Sequence, residues 1–346
     1  MQSEARKHLK TVDISTYTPE ISTFEDRLHQ RNLASSTIRN YLACLKIFFA
    51  WCVVYLSSKA AMLLDYDDFR AFFQFLEQED HLMPRTINCF IATMKQFRYF
   101  IQRKNWNRYE IRFMKYDRTL PKVPSVEQAG MLVDACITLI ESVLVMLLLS
   151  TGMRISEVCN LMYGDIRRDT MEIYIRPGKG RSDRYINLDD LVLEKLEAYC
   201  KSIQELRRHA GLPKLTKNDP VFYFNDGIRP ANKNFLSRVF AQVDARAMKG
   251  RAHYTPHSCR HYFALQIYLQ KRDLLRVRDL LGHRSLNATE VYLRLATALS
   301  LVDDGYTNPL RLCKKPNPAR ESDRDKKQNN GKKQNDGKKQ NDEADG

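Results

Sequence analysis

Residues 137–149 read ITLIESVLVMLLL, with a single charge, Glu141, in the run. A helix apolar on nearly every side has no face to offer water, so this segment must be a core element of its domain. Gly152 breaks it, and Arg154 and Glu157 follow directly. Around it the pattern predicts a domain beginning near Ser125, with a helix over 125–136 ahead of the core helix. Short strand-like pieces come after it at 164–166, 172–175 and 185–188. Pro177-Gly178-Lys179-Gly180 is a turn signal joining the last two. A long amphipathic helix over 190–209, a loop holding Pro213 and Pro220, and a helix over 231–248 complete the approach to residues 255–294.

The N-terminal part is patterned differently. Residues 1–18 carry mixed charge without periodicity and read as a loose arm. Residues 19–104 are helical throughout, with a short helix over 24–31 and another over 66–79. Residues 33–37 offer a hydroxyl cap to a helix whose stripe is Ile38, Leu42, Leu45, Phe49 and Cys52. Pro84 opens a second striped helix through Ile87, Phe90, Ile91, Met94, Phe97 and Ile101, edged by Arg85, Lys95, Arg98 and Arg103. Residues 105–124 mix aromatic and basic residues and end in two prolines, which reads as an extended linker. Its composition suits either a phosphate backbone or simple solvation.

The 56 Lys and Arg against 41 Asp and Glu give a net charge of +15, a field that draws polyanions: nucleic acid, or an anionic membrane surface. The longest uncharged apolar run, residues 142–153, is far short of the roughly 20 residues of a membrane-spanning helix. The first ten residues lack the apolar core of a signal peptide, so a cytoplasmic protein is expected. The eight cysteines are scattered with no C-x-x-C pair, which suits reduced thiols rather than disulfides or zinc ligands. Residues 314–346 hold ten basic and seven acidic residues in a Lys/Asn/Gln/Asp/Gly repeat with nothing to bury. A disordered tail is expected over 311–346, and the basicity belongs mainly to the folded part.

Residues 255–294 concentrate polar groups on short helices. His257 and Arg260, three apart, share one helical face. Gly282 ends an apolar segment over 274–281 and releases His283 into a turn. Asn287 with Glu290 reads as a capping-box start for a helix carrying Tyr292. Singly, each has an ordinary structural reading: Arg154 with Glu157 a surface pair, Lys179 a loop lysine, His257 a cap, His283 a dipole partner, Tyr292 core. His261, beside Arg260, reads as structural.

Four segments together resemble the tyrosine recombinase (phage integrase) family. They are Thr151-Gly152-Met153-Arg154-Ile155-Ser156-Glu157, the Gly178-Lys179-Gly180 hairpin, Thr255-Pro256-His257-Ser258-Cys259-Arg260-His261, and Leu281-Gly282-His283 with Tyr292 nine residues on. Cys259 and Val158 stand where the family commonly has leucine, and both keep the position apolar. The resemblance implies a mainly α fold: an N-terminal all-helical core-binding bundle (19–104), the linker, and a catalytic domain (125–310) with a small antiparallel β-sheet. It also implies a site-specific DNA recombinase that cuts and rejoins double-stranded DNA through a 3′-phosphotyrosyl intermediate, with no metal, cofactor or ATP, of the kind found on mobile genetic elements. By resemblance Arg154 and Arg260 hold the phosphate, His257 adds a hydrogen bond, Glu157 orients the arginines, His283 positions phosphate or tyrosine, Lys179 protonates the leaving 5′ oxygen and Tyr292 is the nucleophile. The family acts as a tetramer on two DNA sites, with a C-terminal segment packed on a neighbour; residues 293–302 are the candidate here. A type IB topoisomerase-like relaxing enzyme and a catalytically silent DNA-binding regulator are the alternatives.

Overall fold

The computed structural model describes residues 4–117, 119–176, 183–283 and 285–299. It divides into two compact units, Met1–Thr119 and Leu120–Gly346.

The first unit is helical: α1 (Glu4–Leu9), α2 (Thr18–Gln30), α3 (Ser35–Tyr55), α4 (Tyr66–Gln78) and α5 (Pro84–Phe100). Asp65 caps α4, accepting from the backbone N–H of Asp67 and Asp68, and Pro84 opens α5 where the missing N–H costs nothing. The core is aromatic. Phe48 of α3 lies within 5.0–6.3 Å of the rings of Trp51, Phe69, Phe72 and Phe97.

Two expectations need correcting here. The arm over 1–18 is not loose: it contains α1 and a 3₁₀ turn at Ser15–Tyr17, with Leu9 and Tyr17 buried. Tyr17 stacks on Phe49 at 4.1 Å and donates its hydroxyl to the Lys59 carbonyl at 2.8 Å. Isolated anchors of this kind leave no periodic trace in a sequence. The hydroxyl cap expected at 33–37 is absent, since α3 starts from Ala34 with no side-chain cap. Among the described residues α3 is also the one helix long and apolar enough, by length and composition, to cross a membrane. Arg39 and Lys46 interrupt its apolar sequence, and its inward face is committed to the core through Phe48, Phe49 and Cys52, all fully buried.

Past α5 the chain has no helix or strand up to Asp117, yet it is tied down. Ile111 is buried, Trp106 and Met114 pack on the first unit's core, and Asn88 holds the Met114 backbone by both amide atoms at 2.7 and 2.9 Å.

The second unit holds α6 (Val126–Asp134), α7 (Leu139–Thr151), α8 (Ile155–Cys159), β1 (Ile166–Arg167), β2 (Glu172–Ile175), β3 (Arg184–Asn187), α9 (Asp190–His209), α10 (Lys233–Met248), α11 (Pro256–Lys271), α12 (Leu274–Leu281) and α13 (Glu290–Ala298). As its composition requires, α7 is central: it packs against α6, α8, α9, α10 and α11, and Val143, Leu144, Val145, Leu147 and Leu148 are fully buried. The strands form an antiparallel sheet in the order β1-β2-β3. Ile166 pairs with Ile173 and Ile173 with Ile186, so one row of isoleucines faces the core. The piece expected as a strand from 164 is instead a 3₁₀ turn, Tyr163–Asp165, leading into a two-residue β1.

A smaller apolar cluster joins α11, α12 and α13 through Phe263, Ala264, Leu265, Val277, Leu281, Leu295 and Ala296. The helix carrying Tyr292 begins at Glu290, with Thr289 rather than Asn287 preceding it and no side-chain cap; Asn287 falls in a 3₁₀ turn, Leu286–Ala288. Of the segment offered for neighbour packing, Leu295 and Ala296 are buried in their own unit. Residues 300–302, the Lys179 turn and the repetitive tail lie outside the described residues.

The seven cysteines among the described residues are free; Cys52, Cys200 and Cys259 are buried and Cys89 is exposed.

Candidate active site

The site grows from two chain reversals. Gly152 ends α7 in the left-handed conformation, φ +61°, and puts Arg154 just ahead of α8. Glu157, three residues in, accepts from the Arg154 backbone N–H at 2.9 Å and from its guanidinium at 2.8 Å. Gly282 ends α12 the same way, φ +62°, and directs His283 to Thr289, whose hydroxyl lies 3.0 Å from His283 Nδ1. Between them runs α11, opened by Thr255 and Ser258 in reciprocal capping, with Pro256 in its first turn.

Arg260 on α11 is 1% exposed. Its Nη1 donates to the Gly152 carbonyl at 2.7 Å and its Nη2 to the Leu281 carbonyl at 2.6 Å. One guanidinium therefore locks together the residues that end α7 and α12. Burial, with Arg154 and Arg184 adding repulsion, pushes its pKa down to about 9, Glu157 opposing; the group stays charged at neutral pH.

Arg184, at the start of β3, was not foreseen. It donates to Glu157 at 2.8 Å through Nη2 and to the Leu280 carbonyl at 2.7 Å through Nε. The signal was present: in a strand, side chains two apart share a face, and Arg184 has the parity of buried Ile186 and Leu188. Glu157 thus faces three guanidiniums, with Arg260 at 3.9 Å. Burial works to raise its pKa, but the Arg184 and Arg154 contacts prevail and hold it down to about 2. Three positive groups about one carboxylate leave an unbalanced positive charge in a largely buried place, and the chemistry that balances it is an anion.

Tyr292 of α13 is 1% exposed, set among the α11–α13 cluster. Burial pushes its hydroxyl up to about 12, with Arg260 and Arg154 pulling the other way. The hydroxyl lies 3.0 Å from His261 Nδ1, and the His261 ring stacks with that of His257 at 5.6 Å. His261, read from the sequence as structural, thus contacts the Tyr292 hydroxyl. Its spacing of four from His257 put the two on one face, and only the fold showed that this face meets Tyr292.

Of the residues singled out in the sequence, Arg154, Glu157 and Arg260 form one ion cluster, Tyr292 and His283 border it, and His257 is exposed beside His261. Lys179 lies outside the described residues. Among the described residues no group of three or more His, Cys, Asp or Glu side chains is placed to hold a metal ion.

Comparison with known proteins places the chain in a family. The phage integrase family model matches residues 125–298 and the phage integrase N-terminal SAM-like domain matches residues 21–108. The chain is 30% identical over 215 residues to the tyrosine recombinase XerA of Pyrococcus furiosus, covering 61% of this chain and 70% of that one. It is 27% identical over 292 residues to the tyrosine recombinase XerD of Listeria monocytogenes, covering 81% and 95%. Among solved structures, the Tn1549 transposon integrase in complex with transposon right end DNA has a similar fold at TM-score 0.62 and 18% identity, covering 79% of this chain and 94% of that one. XerH recombinase bound to its difH substrate is similar at TM-score 0.60 and 20% identity, covering 86% and 93%. With the catalytic family model spanning half of the 346 residues and the companion domain ahead of it, the chain belongs to the phage integrase family, the tyrosine recombinases.

Proposed function

We propose that this DNA breaking-rejoining enzyme performs site-specific recombination on double-stranded DNA through a 3′-phosphotyrosyl bond to Tyr292, with neither metal nor ATP. The observation that carries the reading is Arg260: a buried guanidinium pinned by two backbone carbonyls, in a cluster with excess positive charge and a tyrosine hydroxyl at its border. Guanidiniums match phosphate oxygens as planar forks, and held rigidly they stabilise the extra negative charge of a pentacoordinate transition state. Removing one such preorganised donor costs on the order of 10² to 10³ in rate.

Tyr292 Oη attacks phosphorus, the P–O5′ bond breaks, and the 5′ oxygen takes a proton, which the family resemblance assigns to Lys179. Arg154 and Arg260 hold the non-bridging oxygens, His257 adds a hydrogen bond, Glu157 keeps the guanidiniums oriented, and His283 positions the phosphate or the tyrosine. The phosphotyrosyl bond retains the energy of the broken linkage, so a 5′ hydroxyl from a second strand reverses the step. Strand exchange of this kind calls for self-association to a tetramer on two DNA sites, and the enzyme acts where the DNA is, which we place in the cytoplasm.

Nicked duplexes tiled across the gene's own genomic neighbourhood test the reading. Wild type should form a denaturant-stable protein–DNA adduct without metal or ATP, and Tyr292→Phe should form none. Retarded DNA that is never linked, with both proteins alike, sinks it.

A further inference from the structure

We propose that His261 is a catalytic residue: its Nδ1 takes the proton from Tyr292 Oη as that oxygen bonds to phosphorus. The inference deepens the proposed function and rests on Tyr292 being the nucleophile.

The geometry comes first. Nδ1 and Oη are 3.0 Å apart, a distance over which a proton passes directly. Both ends are fixed. His261 follows buried Cys259 and Arg260 on α11, and Tyr292 is held by the α11–α13 cluster. Two other titratable groups of the site are engaged otherwise. Glu157 is bound to Arg154 and Arg184 with Arg260 close by, and His283 Nδ1 faces Thr289.

The electrostatics agree. The groups facing His261 are His257 and Arg260 on its own helix, Tyr292 on α13, and His283 after α12. Burial first, then His257 and Arg260, lower its pKa to about 4, so at neutral pH the imidazole is uncharged and able to accept. With the tyrosine held near 12 the proton stays on oxygen in the free enzyme, and the nucleophile is not spent before DNA arrives. A phosphodiester entering among the arginines brings negative charge, which lifts the imidazole's basicity as it lowers the net positive field. The balance is complete: Oη–P forms, P–O5′ breaks, the phenolic proton moves to Nδ1, and the 5′ oxygen is protonated by a separate group.

The test uses the full chain and a nicked duplex that wild type cleaves, with first-order adduct formation as the readout. His261→Ala removes the acceptor, while His261→Asn keeps a polar partner near Nδ1 without its basicity. Both should slow cleavage by on the order of 10² to 10⁴, with duplex retention unchanged. Replacing Tyr292 by an acidified fluorotyrosine should restore much of the lost rate in the His261 variants and little in Arg260→Ala. Wild-type or faster cleavage by His261→Asn, or rescue no greater for His261 variants than for Arg260→Ala, overturns the assignment. Failure of wild type itself to form an adduct overturns the nucleophile reading instead, a separable result.

Discussion

Gly152→Ala tests whether the site depends on the α7 terminus. At φ +61° an alanine suffers the left-handed penalty, about 1–2 kcal/mol. Its Cβ would stand 2.5 Å from a ring carbon of Phe263 and 3.2 Å from Leu281. Both are buried side chains with little room to yield, and overpacking of this sort costs about 1–3 kcal/mol. The sum is about 3 kcal/mol, which for a unit of this size lowers the melting temperature by roughly 6–12 °C. Two glycines serve as controls. Gly211 has φ +67° with nothing within 4 Å of an added Cβ, so Gly211→Ala should carry the backbone penalty alone, a fall of roughly 2–4 °C per kcal/mol. Gly130 lies in α6 in open space, and Gly130→Ala should stabilise by about 0.5–1 kcal/mol. Calorimetry reads all three. The Gly152 variant should also lose cleavage activity beyond its loss of fold, because its carbonyl holds Arg260. Equal melting shifts for Gly152→Ala and Gly211→Ala refute the packing argument, and undiminished cleavage by folded Gly152→Ala refutes the coupling to Arg260.

Glu157→Gln removes the carboxylate balancing three guanidiniums and should destabilise by about 3–5 kcal/mol in urea titrations. Because the Glu157 pKa is lowered to about 2 from 4.5, its contribution is full above the unfolded value and fades as pH falls from about 4.5 towards 2. That acid loss should shrink in the variant, and an unchanged acid profile counts against the cluster. Arg184→Lys keeps the charge but cannot reach both Glu157 and the Leu280 carbonyl; slower adduct formation with near-normal DNA retention is expected, and wild-type rates would make Arg184 merely structural. The pKa values of His261 and His283 are lowered to about 4 and about 3, so their imidazole NMR signals should hold still from pH 8 to pH 5. A midpoint near 6.5 for either contradicts the burial that sets them.

Much of this protein was legible from local chemistry. The apolar run at 137–149 could only be a core helix, the α5 stripe announced its buried face, and Gly152 and Gly282 marked the turns that hand Arg154 and His283 to the site. These are decisions made within a few residues, where periodicity and backbone freedom act. Motif order added the expectation that separated segments belong to one site. What the tertiary structure decided depends on pairs far apart in sequence. Arg260 reaches the Gly152 and Leu281 carbonyls, Arg184 crosses from a strand to Glu157, and Tyr17 stacks on Phe49 to anchor a segment without a pattern. His261 sits one position from a residue the sequence singled out, and its contact with the Tyr292 hydroxyl exists only because α13 packs beside α11. A sequence records each group's chemistry and its local face; the partner across that face is fixed only when the helices pack.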